Sequence, residues 1–163
     1  MQIRAAADDD LFAVAAIYGY EARTGISTFD TEPRTLDDWR VRLDSTAPGD
    51  HLLVAEEDDV VLGYAHSTAY RRKPSYDRTR EASVYLTPDV QGQGIGRQLY
   101  DDLLRWMTAD GIHVVVAAVA LPNPASLALH DACGFTEVGV MREVGRKFDR
   151  WIDVVWLQRQ LVR

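Results

Sequence analysis

Apolar and polar residues follow one another along the chain in patterns that predict strands and helices in turn. Residues 3–7 predict a short strand, and three aspartates then offer a cap to an apolar stretch with helical spacing at 11–21. Thr35 predicts the start of a second helix, because an aspartate stands three residues later, as in a capping box. Two runs rich in β-branched residues, 51–56 and 60–67, enclose an acidic turn and predict an antiparallel hairpin.

The second half of the chain repeats the order strand, turn and helix and then ends in strands. Residues 81–86 alternate between two sets of side chains, which predicts a strand with two differently used faces, and a helix follows a glycine-rich turn. Residues 112–121 are nearly all apolar, as in a strand covered on both faces. Asn123, followed by a proline, predicts the start of another helix, and 138–144 and 152–161 are late strands.

These elements fit one domain over residues 1–163, because neither a linker nor a repeat interrupts them. The pattern predicts a mixed α/β sheet with helices on both faces. At this length folding buries roughly 70% of the unfolded surface, so the core needs no disulfide and no structural metal. Cys133 is the single cysteine, and the four histidines lack the spacing of a zinc site, so we predict no metal and a reducing, cytoplasmic location.

Charge and hydropathy exclude two classes of partner. The chain has 18 Lys and Arg against 25 Asp and Glu, a net charge of −7, which argues against a protein that binds nucleic acid through phosphate contacts. Apolar runs fall well short of the ~20 residues that span a bilayer, and the first residues do not resemble a secretion signal. We therefore expect neither nucleic acid nor a membrane as partner.

The sequence Gln91-Gly92-Gln93-Gly94-Ile95-Gly96-Arg97 follows a predicted strand directly and opens a predicted helix. Glycines let the backbone approach a ligand closely, and the free amides at a helix start favour a diphosphate. A nucleotide P-loop is excluded, because Lys and Ser or Thr do not follow the last glycine. A dinucleotide site fits poorly, because the turn lies mid-chain. A tight turn without any ligand stays open as an alternative.

The Gln-x-x-Gly-x-Gly pattern in this turn resembles that of the GNAT superfamily of N-acetyltransferases, and the similarity runs from the first predicted strand to the last. The resemblance implies a mostly antiparallel mixed sheet with a splayed central strand pair, and acetyl-CoA as co-substrate. It assigns strand residues to the pantetheine arm, the turn to the pyrophosphate and an asparagine to the cofactor arm. The implied cofactor-binding residues are Val84, Tyr85, Leu86, Gly92, Gln93, Gly94, Ile95, Gly96, Arg97 and Asn123.

Further residues resemble one branch of this family, the phosphinothricin and methionine sulfoximine acetyltransferases. His130 stands where the family usually has the tyrosine that protonates the departing thiolate, and Glu81 lies in Thr79–Tyr85, which is similar to that branch. Residues 29–33 and 145–153 are similar to it as well. The resemblance implies a small amino-acid-like acceptor, acetylated on its α-amino nitrogen, and commonly a homodimer.

The reaction needs a neutral amine, yet the amine of an amino acid is mostly protonated at neutral pH. Glu81 is the candidate base, directly or through one water, provided that burial raises its pKa. His130 is the next candidate, as base or as acid toward the thiolate. The alternatives are a surface ion pair of Glu81 with a neighbouring arginine and a histidine that only bonds backbone. We expect Cys133 to pack in a helix rather than to act as a nucleophile.

A basic loop ahead of Glu81 contains Arg71, Arg72 and Lys73. It predicts a negatively charged acceptor, because three positive charges cluster there in a chain whose net charge is negative. Arg71 and Lys73 are the candidates for its acidic group, and Phe29 and Tyr76 for the walls of its pocket. Arg72 is a candidate for a solvated surface residue. The remaining histidines and large aromatic residues are predicted to be structural, core or interface residues: His51, His66, His113, Tyr18, Tyr64, Trp106, Trp151 and Trp156.

Two other functions remain as alternatives. An acidic chain suits a larger cationic amine, such as a protein N-terminus, a polyamine or an aminoglycoside. A catalytically silent acyl-CoA sensor would keep the glycine turn without proton transfer. The basic loop favours the small anionic acceptor over the first, and Glu81 with His130 argues against the second.

Overall fold

A computed structural model describes residues 1–161. Within this range the chain forms seven strands and four α-helices, joined by short 3-10 turns. The strands are β1 (Gln2–Ala5), β2 (His51–Glu57), β3 (Val60–Ala69), β4 (Thr79–Leu86), β5 (Val114–Ala120), β6 (Thr136–Lys147) and β7 (Arg150–Gln160). The helices are α1 (Leu11–Thr24), α2 (Leu36–Leu43), α3 (Ile95–Ala109) and α4 (Pro124–Ala132).

The strands form one sheet in the order β1-β2-β3-β4-β5-β7-β6, in which β4 and β5 are parallel and all other neighbours antiparallel. β4 and β5 are paired only at Thr79–Glu81 against Val114–Val116. Beyond these residues the two strands continue without pairing and diverge. The predicted mixed sheet with a splayed central strand pair is therefore confirmed, and the gap exposes backbone groups of both strands to a ligand.

Each face of the sheet carries its own hydrophobic core, because neighbouring strand residues point to opposite faces. Leu53 packs with Leu99 and Leu103 of α3, whereas the adjacent Val54 packs with Trp39 of α2 and the residues of α1. Helices thus cover both faces, as predicted. No helix of residues 1–161 combines the length and the apolar character needed to cross a membrane.

The helix starts follow the sequence signals with one exception. Thr35 Oγ1 accepts a hydrogen bond from the Asp38 amide at 3.2 Å, and the Thr35 amide donates one to Asp38 Oδ2 at 2.8 Å, which confirms the capping box. Asn123 Oδ1 accepts the Ser126 amide at 3.1 Å, as predicted for the start of α4. Asp10, however, does not cap α1 with its side chain, because it pairs with Arg4 at 2.6 Å and its segment forms a 3-10 turn.

Candidate active site

The first cavity, of about 570 Å³, lies where β4 and β5 diverge, between the start of α3 and α4. Eight of the ten predicted cofactor-binding residues line it. They are Val84, Tyr85, Leu86, Gly92, Gly94, Gly96, Arg97 and Asn123. The other two are placed differently: Ile95, the first residue of α3, is buried in the core, and the Gln93 side chain donates to the Asp89 carbonyl at 3.2 Å.

The glycine turn leaves its backbone open toward this cavity. Gly92 and Gly94 have φ of +77° and +82°, a left-handed conformation that favours glycine, and a Cβ at either would meet no described atom within 4 Å. α3 begins after Gly94, where no side chain of residues 1–161 caps the helix. Uncapped amides at the positive end of a 15-residue helix fit a diphosphate group.

The second cavity, of about 520 Å³, lies on the face of the sheet that carries α1 and α2. Glu81 and Phe29, two of the residues predicted to act on or contact an acceptor, line it. The two cavities share Ser27, Ser83, Tyr85, Ala118 and Ala120, so they meet at the splay. The strand register explains why Glu81 and the junction lie on one face of the sheet. Glu81, Ser83 and Tyr85 are alternate residues of β4, so their side chains share a face, and each pairs with a residue of β3.

Glu81 is half-buried beside this junction. Burial raises the pKa of its carboxyl group, and the charges of Arg42 and Arg71 oppose that shift. Its neighbours in sequence have other partners: Arg80 pairs with Asp50 at 2.8 Å, and Arg78 donates to a backbone carbonyl. The surface ion pair considered from the sequence is therefore absent among the described residues.

His130 is 4% exposed and lines the first cavity. Its Nδ1 lies 2.7 Å from the Ser126 carbonyl oxygen, and its Nε2 lies 2.9 Å from the hydroxyl of Tyr100. Burial lowers the pKa of His130, so a neutral ring donates from Nδ1 and accepts the tyrosine hydroxyl at Nε2. Tyr100 was not predicted, because its helical spacing with leucines is that of an ordinary core residue.

The basic loop stands outside both cavities. Arg71 places its guanidinium 5.0 Å over the ring of Tyr70, and that ring contacts Tyr76 and Trp156 with centroids 5.5 and 6.0 Å apart. Trp156 lines the second cavity, so the loop lies near its rim. Arg71, Lys73 and Tyr76 are exposed. None of these three belongs to the lining that the described residues give to either cavity.

Several residues of the second cavity were missed or considered structural. Arg34 and Arg42 line it, as do His66, Tyr18 and Trp156. Arg42 lies in α2 and Arg34 just before it, and half of the eight residues of α2 are charged, so sequence spacing did not indicate that these two arginines face inward. Cys133, 2% exposed at the end of α4, packs in the core as predicted.

Comparison with known proteins agrees with this geometry. The family model described as Acetyltransferase (GNAT) family matches residues 14–135. A phosphinothricin N-acetyltransferase of Alcaligenes faecalis is 44% identical over 98% of this chain and 82% of its own length. An L-methionine sulfoximine/L-methionine sulfone acetyltransferase of Pseudomonas aeruginosa is 35% identical over 98% and 94% of the two chains.

A solved acetyltransferase from Salmonella typhimurium, with its cofactor acetyl-CoA, superimposes with a TM-score of 0.96. It is 35% identical, and the match covers 100% of this chain and 95% of that one. The splayed sheet and the glycine turn thus belong to a fold that holds acetyl-CoA in a solved neighbour. The chain therefore belongs to the acetyltransferase (GNAT) family and is an acetyl-CoA-dependent N-acetyltransferase.

Proposed function

We propose that this enzyme acetylates the α-amino group of a small amino acid or a toxic analogue of the phosphinothricin and methionine sulfoximine type. The relatives that match nearly the whole chain act on such compounds by name. One structural observation carries the proposal: Glu81 faces the second cavity beside the junction with the first. An amine placed at this junction would have Glu81 as a base on one side and the first cavity, which would hold the cofactor, on the other.

Acetyl-CoA, when bound, supplies an activated acetyl thioester. In this proposal the amides of Gly92, Gly94 and Gly96 hold its diphosphate, and the unpaired edge of β4 from Val84 to Leu86 holds its arm, which is supported by their place in the first cavity. Asn123 uses Oδ1 to cap α4, and its amide nitrogen lies 3.4 Å from Ser27 Oγ at the junction. Main-chain donors along β4 would also polarise an acetyl oxygen placed in the gap.

Glu81 acts as the general base in this proposal. A carboxylate with a raised pKa accepts a proton from an ammonium group more readily than an ordinary one does. It takes that proton directly or through one water, which leaves the amine free to attack. The amine attacks directly in a ternary complex, and Cys133 is buried away from the junction, so no acyl-enzyme is proposed.

His130 lies on the cofactor side of the junction, where a departing thiolate needs a proton. Its ring nitrogens are both engaged, one by Ser126 and the other by Tyr100. We therefore propose that His130 and Tyr100 act together to supply the proton that the departing thiolate takes up. The same contacts agree with the alternative that His130 only fixes α4 against α3.

We also propose that two copies of the chain associate, as the family resemblance implies. Large apolar side chains are exposed along β6, β7 and the turn between them, an arrangement typical of an interface. They are Val138, Met141, Val144, Phe148 and Trp151. Met141 and Val144 also line the second cavity, which is the acceptor cavity of this proposal. A second copy on this surface would therefore lie beside the site.

A turnover screen tests the proposed function. The purified enzyme is given acetyl-CoA and a panel of L-amino acids, methionine sulfoximine and phosphinothricin, beside polyamines, an aminoglycoside and a peptide. We expect release of free thiol with the first group and a product acetylated on the α-nitrogen. Turnover confined to the larger amines would replace this proposal by the alternative acceptor class, and cofactor binding without thiol release from any acceptor would favour the sensor.

A further inference from the structure

One end of the second cavity, next to α2, is lined by two guanidinium groups. The guanidinium carbons of Arg34 and Arg42 each lie 5.7 Å from the ring centroid of Trp39, and that of Arg34 lies 4.7 Å over Tyr18. Burial lowers the pKa of Arg42, and the neighbouring charge of Arg34 lowers it further. Two like charges are thus held close together in a partly desolvated pocket, which is costly unless an anion accompanies them.

Among the described residues one carboxylate forms an ion pair with these two cations, and the charge of Arg42 also acts on the carboxyl group of Glu81. Asp30 Oδ2 lies 2.8 Å from Arg34 Nε and also accepts the hydroxyl of Tyr18. Arg34 Nη1 is buried without a hydrogen-bond partner. Within residues 1–161 the side chain of Arg42 makes no ion pair. The guanidinium of Arg42 and Nη1 of Arg34 therefore remain available as donors to an anionic occupant.

His66 adds a third group to the same end of the cavity. It is 7% exposed, it lines the cavity, and its Nδ1 has no partner among the described residues. A buried imidazole nitrogen without a partner is costly, so a ligand group that accepts or donates there would be stabilised. Burial lowers the pKa of His66 to about 3, which keeps the ring neutral.

The direction of the cavity decides which part of an acceptor reaches these groups. Thr68 pairs with Glu81, the proposed base, and His66 pairs with Ser83. His66 therefore lies two residues along β3 from the partner of Glu81, a distance of about 7 Å along the strand. Arg71 follows the opposite end of β3. An α-carboxylate is two bonds from the amine and stays beside Glu81. From there the end of a side chain extends along the cavity toward His66 and Arg42.

We infer that Arg34, Arg42 and His66 form an anion subsite that binds the acidic end of the acceptor's side chain. This inference rests on the proposed function, because it takes the amine to lie at Glu81. The preferred acceptors are accordingly amino acids whose side chain ends in an anion three or four atoms from the α-carbon. A phosphinate, carboxylate or similar group accepts from both guanidinium groups and from a neutral imidazole N–H.

L-Phosphinothricin and L-methionine sulfone make a matched pair of acceptors for the test. Both carry two methylene groups and a tetrahedral centre with one methyl group, but the phosphinate is an anion and the sulfone is neutral. The variants are Arg34→Gln and Arg42→Gln. Arg40→Gln is the control on the same helix, because Arg40 pairs with Asp8 at 3.0 Å and does not line the cavity.

For Arg42→Gln we expect kcat/KM with phosphinothricin to fall about tenfold to a hundredfold, mainly through KM. With methionine sulfone it should stay within about threefold, because the sulfone brings no charge to the subsite. Arg42→Lys should restore part of the loss, and Arg40→Gln should change neither acceptor. Equal losses with both acceptors, or none with either, would overturn the inference.

Calorimetric binding of L-phosphinothricin to the parent and to Arg42→Gln separates this inference from the proposed function. If the parent turns over neither acceptor but binds phosphinothricin in an Arg42-dependent way, the subsite stands and the proposed reaction fails. If turnover is normal and binding is the same in both proteins, the reaction stands and the subsite is wrong. Circular dichroism melting of each variant identifies any that fails to fold.

Discussion

The ring of Phe29 lies directly against Gly145 of β6, so closely that a Cβ at Gly145 would stand 2.0 Å from Phe29 Cε2. Beside this contact, Lys147 Nζ donates to the Thr28 carbonyl at 2.8 Å. The loop after α1 is thus fastened to β6 at two neighbouring points. Phe29 and Thr28 also line the acceptor cavity, so β6 positions one wall of that cavity.

Gly145→Ala should displace the Phe29 ring, which is 39% exposed and free to swing outward. We expect the free energy of unfolding to change by less than about 1 kcal/mol, because a partly exposed ring can yield. KM for the acceptor should rise roughly fivefold while KM for acetyl-CoA stays constant. Gly139→Ala, where a Cβ meets no described atom within 4 Å, is the control. An increase in KM for acetyl-CoA alone would contradict this role of the loop.

Glu81→Gln removes proton acceptance with little change in shape. Turnover at neutral pH should fall about a hundredfold or more, the usual contribution of a general base, while KM for acetyl-CoA stays nearly constant. The remaining rate should rise with pH as the free-amine fraction of the acceptor grows. Steady-state rates of thiol release between pH 6 and 9 measure both effects. Unchanged turnover across that range excludes Glu81 as the base.

Gly94→Ala tests the anion-binding turn. An alanine at φ of +82° costs about 1 kcal/mol of stability, and its methyl group stands over the open backbone where a diphosphate would approach. We expect KM for acetyl-CoA to rise more than the acceptor KM does. Binding of coenzyme A measured by calorimetry should weaken in parallel. Coenzyme A affinity equal to that of the parent would show that the turn holds no phosphate.

Arg71→Ala should mainly raise KM for the acceptor, by about tenfold, because a charged contact made already in the ground state is lost. Lys73→Ala is expected to act in the same direction. Arg72→Ala is the control, because Arg72 lies in the same loop and is predicted to be a solvated surface residue. An effect of Arg71→Ala on acetyl-CoA binding alone would place the loop elsewhere.

His66 makes stability depend on pH in a defined direction. Its pKa is about 3 in the folded protein and about 6.5 when unfolded, so between these values only the unfolded chain takes up the proton. The free energy of unfolding should therefore fall by about 1.4 kcal/mol per unit as pH drops below 6.5. Urea unfolding of His66→Gln at pH 7, 5.5 and 4.5 should show a shallower decline. His113→Gln, at an exposed position, controls for loss of an imidazole.

Local signals in the sequence predicted the elements that surround the first cavity. The glycines of the turn, Asn123 before a proline and the alternating strand that ends at Leu86 are all contiguous patterns, and the structure puts the turn, Asn123 and residues 82–86 around one cavity. Each depends on backbone geometry within a few residues, which the sequence specifies directly. The same alternation did not decide which face Glu81 would share with an acceptor; the tertiary structure places it at the second cavity.

The acceptor side depended on the tertiary structure. The cavity brings together Arg34 and Arg42 from around α2, His66 from β3 and Trp156 from β7, and Phe29 meets Gly145 across more than a hundred residues. Tyr100 likewise meets His130 only when α3 packs against α4. Sequence alone determined the strands, the helices and the glycine turn, because these follow local residue patterns. Which charges share a buried pocket was decided by sheet register and helix packing, which join residues far apart in the chain.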